Sequence, residues 1–276
     1  MTSPLSIISP EIENDPLGHD RFHPMRHLMR GIRELGDECE ATTHPPRLLH
    51  DIAIGWGPKH QGLGLCWARR WLCIELGFLK PRFENNFLGF DGLNGRGRWP
   101  IMPGREESWL HLLKPYRVPP EIRRVLVFGQ VPTDFSLQGL DDGRGIRYLE
   151  WLNRLIRSLR AMGYEVRFRK HPLATDRLDV TVQTAEGTLD EAVEWADLCV
   201  AYSSNALLDA FLLGCPVAPF SETSMTWPVR SSLREIRTVS HDERVRWLLK
   251  VASSQWSQRE MLDGTAWRAL REFHLK

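Results

Sequence analysis

Three short segments carry the side chains best suited to chemistry: Gln130-Val131-Pro132-Thr133-Asp134, Lys170-His171-Pro172 and Ser203-Ser204-Asn205. An amide, an imidazole and a pair of hydroxyls are hydrogen-bonding groups that fit phosphate oxygens and sugar hydroxyls. Each segment follows a run that reads as a β-strand: Val125–Phe128, Val166–Arg169 and Leu198–Ala201. In an open α/β sheet, ligands bind in the loops at the carboxyl ends of parallel strands. The third segment also opens a predicted helix, Asn205–Leu213, whose free N–H groups and positive dipole end suit a phosphate. The pattern points to a phosphorylated, sugar-bearing ligand.

The elements around these segments alternate. Strand 124–128, helix 145–162, strand 164–169, a short strand 178–182, helix 188–196, strand 197–201, helix 204–213 and strand 215–218 imply a parallel sheet with helices on both faces. Helices at 241–252 and 256–273 either complete that half or cross back to the first. Upstream, an apolar run at Leu5–Ser9 precedes a helix over about 21–35, where Met25, Leu28, Met29, Ile32 and Leu35 recur at helical spacing and Gly36 supplies a stop. A strand at Asp51–Trp56, a helix over Gln61–Leu72 and a short strand at Cys73–Glu75 follow. The Gly- and Asn-rich stretch Gly77–Pro103 reads as a long functional loop. Pro103, Pro115, Pro119 and Pro120 mark a linker. The expected fold is α/β, two Rossmann-like halves facing a cleft, at 1–115 and 116–276.

Composition narrows the function classes. In 276 residues, 36 basic and 35 acidic side chains leave a formal charge of +1, so no bulk field draws the chain to nucleic acid or anionic membrane. No apolar run reaches the ~18 residues of a membrane span, and Met1–Pro10 lacks the pattern of a secretion signal. The five cysteines show no CxxC spacing, which fits a reducing cytoplasm. No Asp-x-Asp or clustered metal-ligand set is present, and His23, His27, His44 and His50 are unevenly spaced. No metal or other cofactor is therefore expected, and no oligomeric state is implied.

The three segments, in their order, resemble the capsular-polysaccharide Kdo transferases of bacteria and, more distantly, bacterial sialyltransferases of the two-Rossmann, GT-B-like type. Gln130–Asp134 is similar to that family's Gln-Pro loop, with Val131 intervening. Lys170-His171-Pro172 resembles its Lys-Pro-His-Pro loop in reduced form. Ser203–Ala210, running to Leu213-Gly214-Cys215-Pro216-Val217, resembles its serine-initiated helix followed by Gly-x-Pro-Val. Ile74-Glu75-Leu76-Gly77-Phe78-Leu79 is similar to a Glu-Asp-Gly-Phe-Leu segment, with Leu76 where the family has an acid. Gly89–Arg96 resembles loops in phage-encoded glycosyltransferase-like proteins, some linked to modified DNA bases. The resemblance implies a glycosyltransferase with a nucleotide-sugar co-substrate and no required metal, in a host cytoplasm if phage-encoded.

Roles follow on that reading. Gln130, Asp134, Lys170, His171, Ser203, Ser204, Asn205 and Asp209 are candidates for the donor, with His171 beside its phosphate and Asp209 on its ribose. Several also have a plainer reading: His171 as a strand-end imidazole bonded to a carbonyl, the serines as a helix cap, and Asp134 as a residue that orients the Gln130 loop. Glu75 is the candidate general base for the acceptor hydroxyl, with Asp91 in reserve; Asp91 equally suits a turn carboxylate. Trp56, Arg82 and Arg96 are candidates for the acceptor, while Trp67 and Trp71 read as core. Two acceptors compete. A hydroxymethylated pyrimidine in DNA is slightly preferred, on the long loop, its arginines and Trp99; a capsular or cell-envelope glycan is the alternative. A non-catalytic nucleotide- or sugar-binding module is a third reading.

Overall fold

A computed structural model describes residues 4–10, 22–42, 44–57, 61–134, 136–137, 140, 144–174 and 178–276. The chain forms two units, one from residues 1–106 with 249–276 and one from 107–248. The expected division at 115/116 therefore changes at both ends. The first unit closes earlier, and the C-terminal stretch returns to it because Trp256, Met261, Trp267 and Leu270 fill its core.

In the first unit β1 (Ser6–Pro10), α1 (Phe22–Glu34), β2 (Glu38–Thr42), β3 (His50–Trp56), α2 (Gln61–Trp67), β4 (Ala68–Leu76) and β5 (Asn85–Phe90) occur in chain order. The strands β1 to β4 pair in parallel, whereas β5 runs antiparallel to β4. Ile7, Ile8, Ile52, Ala53 and Ile54 are buried on both faces, as central strands of a covered parallel sheet must be. On α1, Met25, Leu28, Met29 and Ile32 form the buried stripe.

The second unit contains β6 (Arg124–Phe128), α3 (Ile146–Ala161), β7 (Glu165–Arg169), β8 (Gln183–Thr184), α4 (Leu189–Trp195), β9 (Leu198–Ala201), α5 (Ala206–Leu212), β10 (Val217–Pro219) and most of α6 (His241–Ala252). Its sheet is parallel throughout, in the order β10-β9-β6-β7-β8. That is the order of a Rossmann sheet, with the direction of winding reversing between β6 and β9. A crevice opens at the carboxyl ends of two strands wherever winding reverses in this way. Buried Arg244 donates to the Phe211 and Leu212 carbonyls at 2.9 and 3.1 Å, capping the carboxyl end of α5. The chain then re-enters the first unit as β11 (Gln255–Ser257), α7 (Gln258–Leu262) and α8 (Thr265–His274). β11 adds to the free edge of β5, completing the order β11-β5-β4-β3-β1-β2.

Four local expectations are corrected. The stretch 77–103 is not one irregular loop, because Asn85–Phe90 pairs with β4. The α2 helix ends at Trp67, five residues early, since Trp71 belongs to a strand and buries its ring against Gly55 and Gly64, where any Cβ would collide with it. The short strand expected at 178–182 lies instead at Gln183–Thr184. The helix expected at 256–273 is broken by Gly264, whose φ of 81° is costly for other residues.

Gly55→Ala should therefore destabilise the protein by about 1–3 kcal/mol through overpacking against Trp71. Gly62→Ala, where a Cβ meets nothing within 4 Å, should stabilise α2 by up to about 1 kcal/mol. Urea unfolding of the two variants measures both.

Candidate functional site

The loops leaving β6 and β9 are joined by one side chain. The Gln130 Oε1 accepts the Ser203 N–H at 2.9 Å, and Gln130 Nε2 donates to the Ser203 and Ser136 hydroxyls, both at 3.1 Å. Ser203 Oγ donates in turn to the Ser136 carbonyl at 3.1 Å. From α3, the Tyr148 hydroxyl accepts the Gln130 N–H at 2.8 Å. Burial pushes the Tyr148 phenol well above its ordinary range, so the hydroxyl keeps its proton. Gln130, Ser203 and Tyr148 are all buried. Gln130 and Ser203, expected as direct ligand contacts, thus spend their polar atoms on each other and fix the shape of the crevice. Gly145 starts α3 with φ 75° and lies so close to Pro132 that a Cβ there would collide.

His171, after β7, is half-buried. Its Nδ1 accepts the Leu173 N–H at 3.1 Å, which leaves the proton of the neutral ring on Nε2. Burial lowers its pKa below the ordinary value, and nearby Asp134 only partly opposes this. The resting imidazole is therefore neutral with an Nε2–H donor. Asp134 accepts the Ser136 N–H at 2.7 Å, closing the turn that presents Ser136. Ser204 accepts the Ala206 N–H at 3.3 Å, and Asn205 precedes α5 without a side-chain cap bond. Asp209 is buried in α5, and Lys170 is exposed.

In the first unit Glu75 stands at the carboxyl end of β4. Its Oε1 accepts the Leu76 N–H at 3.0 Å, and its Oε2 lies over Gly57, 3.3 Å from where a Cβ would be. Gly57, with φ 59°, turns the chain at the end of β3. Asp91 lies elsewhere. Glu75 pairs with Phe87 and Leu72 with Phe90, while the Asp91 N–H donates to the Trp71 carbonyl. At about 3.3 Å per residue the two carboxylates are on the order of 13 Å apart along the strand, at opposite ends. Asp91 is held by Arg70 at 2.7 Å, with Arg98 at 3.9 Å, and Arg70 also touches His274 Nδ1 at 3.3 Å. Asp91 therefore belongs to an ion-paired turn and not to the neighbourhood of Glu75.

The acceptor candidates divide in the same way. Arg82 is at the Glu75 end, whereas Arg96 is in the 3-10 turn Asn94–Arg96 beyond Phe90. Trp56 is buried within the core, and buried Trp99 donates its indole N–H to the Lys250 carbonyl at 2.8 Å while packing edge-on to Phe87. Neither indole is a surface for stacking. Among the described residues no three metal-ligating side chains come together, and no helix is long and apolar enough to cross a membrane.

The comparisons with known proteins agree with this architecture. No family model and no curated protein matches the chain. Two solved structures from Thermosulfurimonas dismutans do. The KpsC beta Kdo 2,7 transferase superposes with a TM-score of 0.54 at 13% identity, over 94% of this chain and 98% of its own. The KpsC beta Kdo 2,4 transferase gives 0.53 at 18%, over 91% of each chain. The fold is GT-B-like. The two Rossmann-like units and the reversal between β6 and β9 belong to that fold.

Sequence reasoning missed Ser136 and Tyr148, whose partners lie 67 and 18 residues away. It also passed over Ser221, Thr223, Ser224 and Thr226 after β10, which pair as Ser221–Thr223 at 2.8 Å and Ser224–Thr226 at 3.0 Å. Their Ser-x-Thr spacing, directly after a strand, was the available signal.

Two outcomes follow. Gln130→Ala leaves the buried Ser203 N–H without its acceptor and removes the amide donor to the Ser203 and Ser136 hydroxyls, so stability should fall by about 1–3 kcal/mol in urea unfolding. In an NMR titration, His171 should carry its proton on Nε2 and ionise below about 6.5, the value of an unperturbed histidine. Because its folded pKa is depressed, its neutral state is matched to the fold above the unfolded pKa. Stability is lost as pH falls below that value, and His171→Asn should flatten the loss.

Proposed function

We propose that the protein is a glycosyltransferase that moves a sugar from a nucleotide-sugar donor to a glycan hydroxyl without a required metal. The carrying observation is the Gln130–Ser203 clamp across the β6/β9 reversal, with His171 on the loop that leaves the neighbouring strand β7, in a fold shared with Kdo transferases. The donor phosphate takes bonds from His171 Nε2–H and the Ser204 hydroxyl, with Lys170 adding charge and Asn205 and Asp209 serving the ribose. Glu75 accepts the proton of the acceptor hydroxyl. The acceptor oxygen then bonds to the anomeric carbon, the bond from that carbon to the phosphate oxygen breaks, and the electron pair leaves with the nucleotide. Five free thiols suit a reducing compartment.

A glycan acceptor is favoured over a hydroxymethylated base in DNA. The DNA reading drew on Arg82, Arg96, Arg98 and Trp99 around the long loop, and of these Arg82 alone lies at the strand end that carries Glu75. Trp99 is buried, and Arg98 approaches Asp91 at the strand end remote from Glu75.

Mass spectrometry of reactions pairing a panel of nucleotide sugars with oligosaccharides and with hydroxymethylated DNA tests this. Transfer to a glycan is expected, and transfer to DNA alone would reverse the choice of acceptor. Glu75→Gln should lower kcat by about 10²–10⁴-fold and leave donor affinity intact. His171→Ala should weaken donor binding by about 1.5–3 kcal/mol. Unchanged kinetics in both variants would remove the assignment.

A further inference from the structure

We propose that Phe83 is the acceptor platform of the first unit, stacking on the apolar face of a pyranose ring beside Glu75; this rests on the glycosyltransferase reading above. Phe83 is 78% exposed on the outer part of its loop, with Lys80, Pro81 and Glu84 exposed around it, while Gly77, Phe78 and Leu79 at the base of the loop are buried. An aromatic ring turned outward from a pinned loop is available to a ligand.

The pinning is specific. The Gly77 N–H donates to the Asn85 carbonyl at 2.9 Å, and the Phe78 N–H donates to Gln255 Oε1 at 2.7 Å. A Cβ on Gly77 would sit 3.1 Å from the Arg82 carbonyl, so the 3-10 turn Arg82–Glu84 folds directly onto the end of β4. Phe83 is the middle residue of that turn. Because β4 and β5 are antiparallel, residues 77–84 join them at the carboxyl end of β4, the end that carries Glu75.

The chemistry of the surroundings selects the ligand. Lys80 and Arg82 balance Glu75 and Glu84, so this end carries no excess positive charge for a polyanion. The polarised axial C–H bonds of a pyranose are attracted to the negative face of an aromatic ring. A carboxylate alongside then meets a ring hydroxyl.

Saturation-transfer NMR on the full chain tests the platform. The probes are methyl glycopyranosides of glucose, galactose and N-acetylglucosamine, with a hydroxymethylated DNA oligonucleotide in parallel. Wild type and Phe83→Trp should saturate the C–H protons of one pyranoside face. In Phe83→Ala that signal should fall about tenfold, the equivalent of ~1.4 kcal/mol, with nucleotide binding unchanged. Equal signals in wild type and Phe83→Ala, no signal from any pyranoside, or a Phe83-dependent signal from the oligonucleotide alone would each overturn the proposal. A protein that takes pyranosides through Phe83 yet binds no nucleotide would support the platform and overturn the transferase reading.

Discussion

The second unit depends on one buried amide. A Rossmann sheet leaves a gap where its winding reverses, and the loops on either side have no backbone ladder to hold them together. Gln130 supplies the missing connection, accepting from the Ser203 backbone and donating to two hydroxyls. An amide suits this position because it has both a donor and an acceptor end. A carboxylate could take the N–H but could not serve the hydroxyls as a donor. With Tyr148 bonded behind it, the clamp fixes the crevice before any ligand arrives, which reduces the ordering cost of binding. His171, held through Nδ1 by the Leu173 N–H, keeps an Nε2–H that can donate to a ligand.

The first unit separates its charges by strand direction. The carboxyl ends of β3 and β4 hold Gly57 and Glu75, whereas the amino end of β4 holds Arg70, paired with Asp91 and close to His274. The second network is structural. Burial and the Arg70 charge keep the His274 imidazole below its ordinary pKa, and the Arg70 guanidinium lies over the Phe90 ring at 4.6 Å. Glycine makes both ends possible: Gly55 and Gly64 admit the Trp71 ring beneath the sheet, and Gly57 lets the Glu75 carboxylate approach the backbone.

Much of this was legible in the sequence. Apolar runs bounded by turn residues gave β3, β6, β7 and β9 nearly to the residue, and the three polar segments do follow their strands. The division of labour within them was not legible, because Gln130 and Ser203 look alike as ligand contacts or as partners until their 73-residue separation is closed. The pairing of β5 was hidden by Asn85, Asn86 and Gly89, residues of low strand propensity held in register by β4 and β11. Missing that strand let Asp91 stand in reserve for the role given to Glu75, although β5 carries the chain back to the other end of β4 between them. Trp71 misled in a similar way, since four residues after Trp67 is helical spacing, and only the space over Gly55 and Gly64 decides for a strand.

The claim that the β6/β9 reversal is the donor site is tested most directly by hydrogen–deuterium exchange with and without nucleoside mono- and diphosphates. The account predicts slower exchange in peptides covering 129–136, 169–173 and 202–206, with the first unit's core strands unchanged. Protection confined to other segments, or no protection there from any nucleotide, would contradict it.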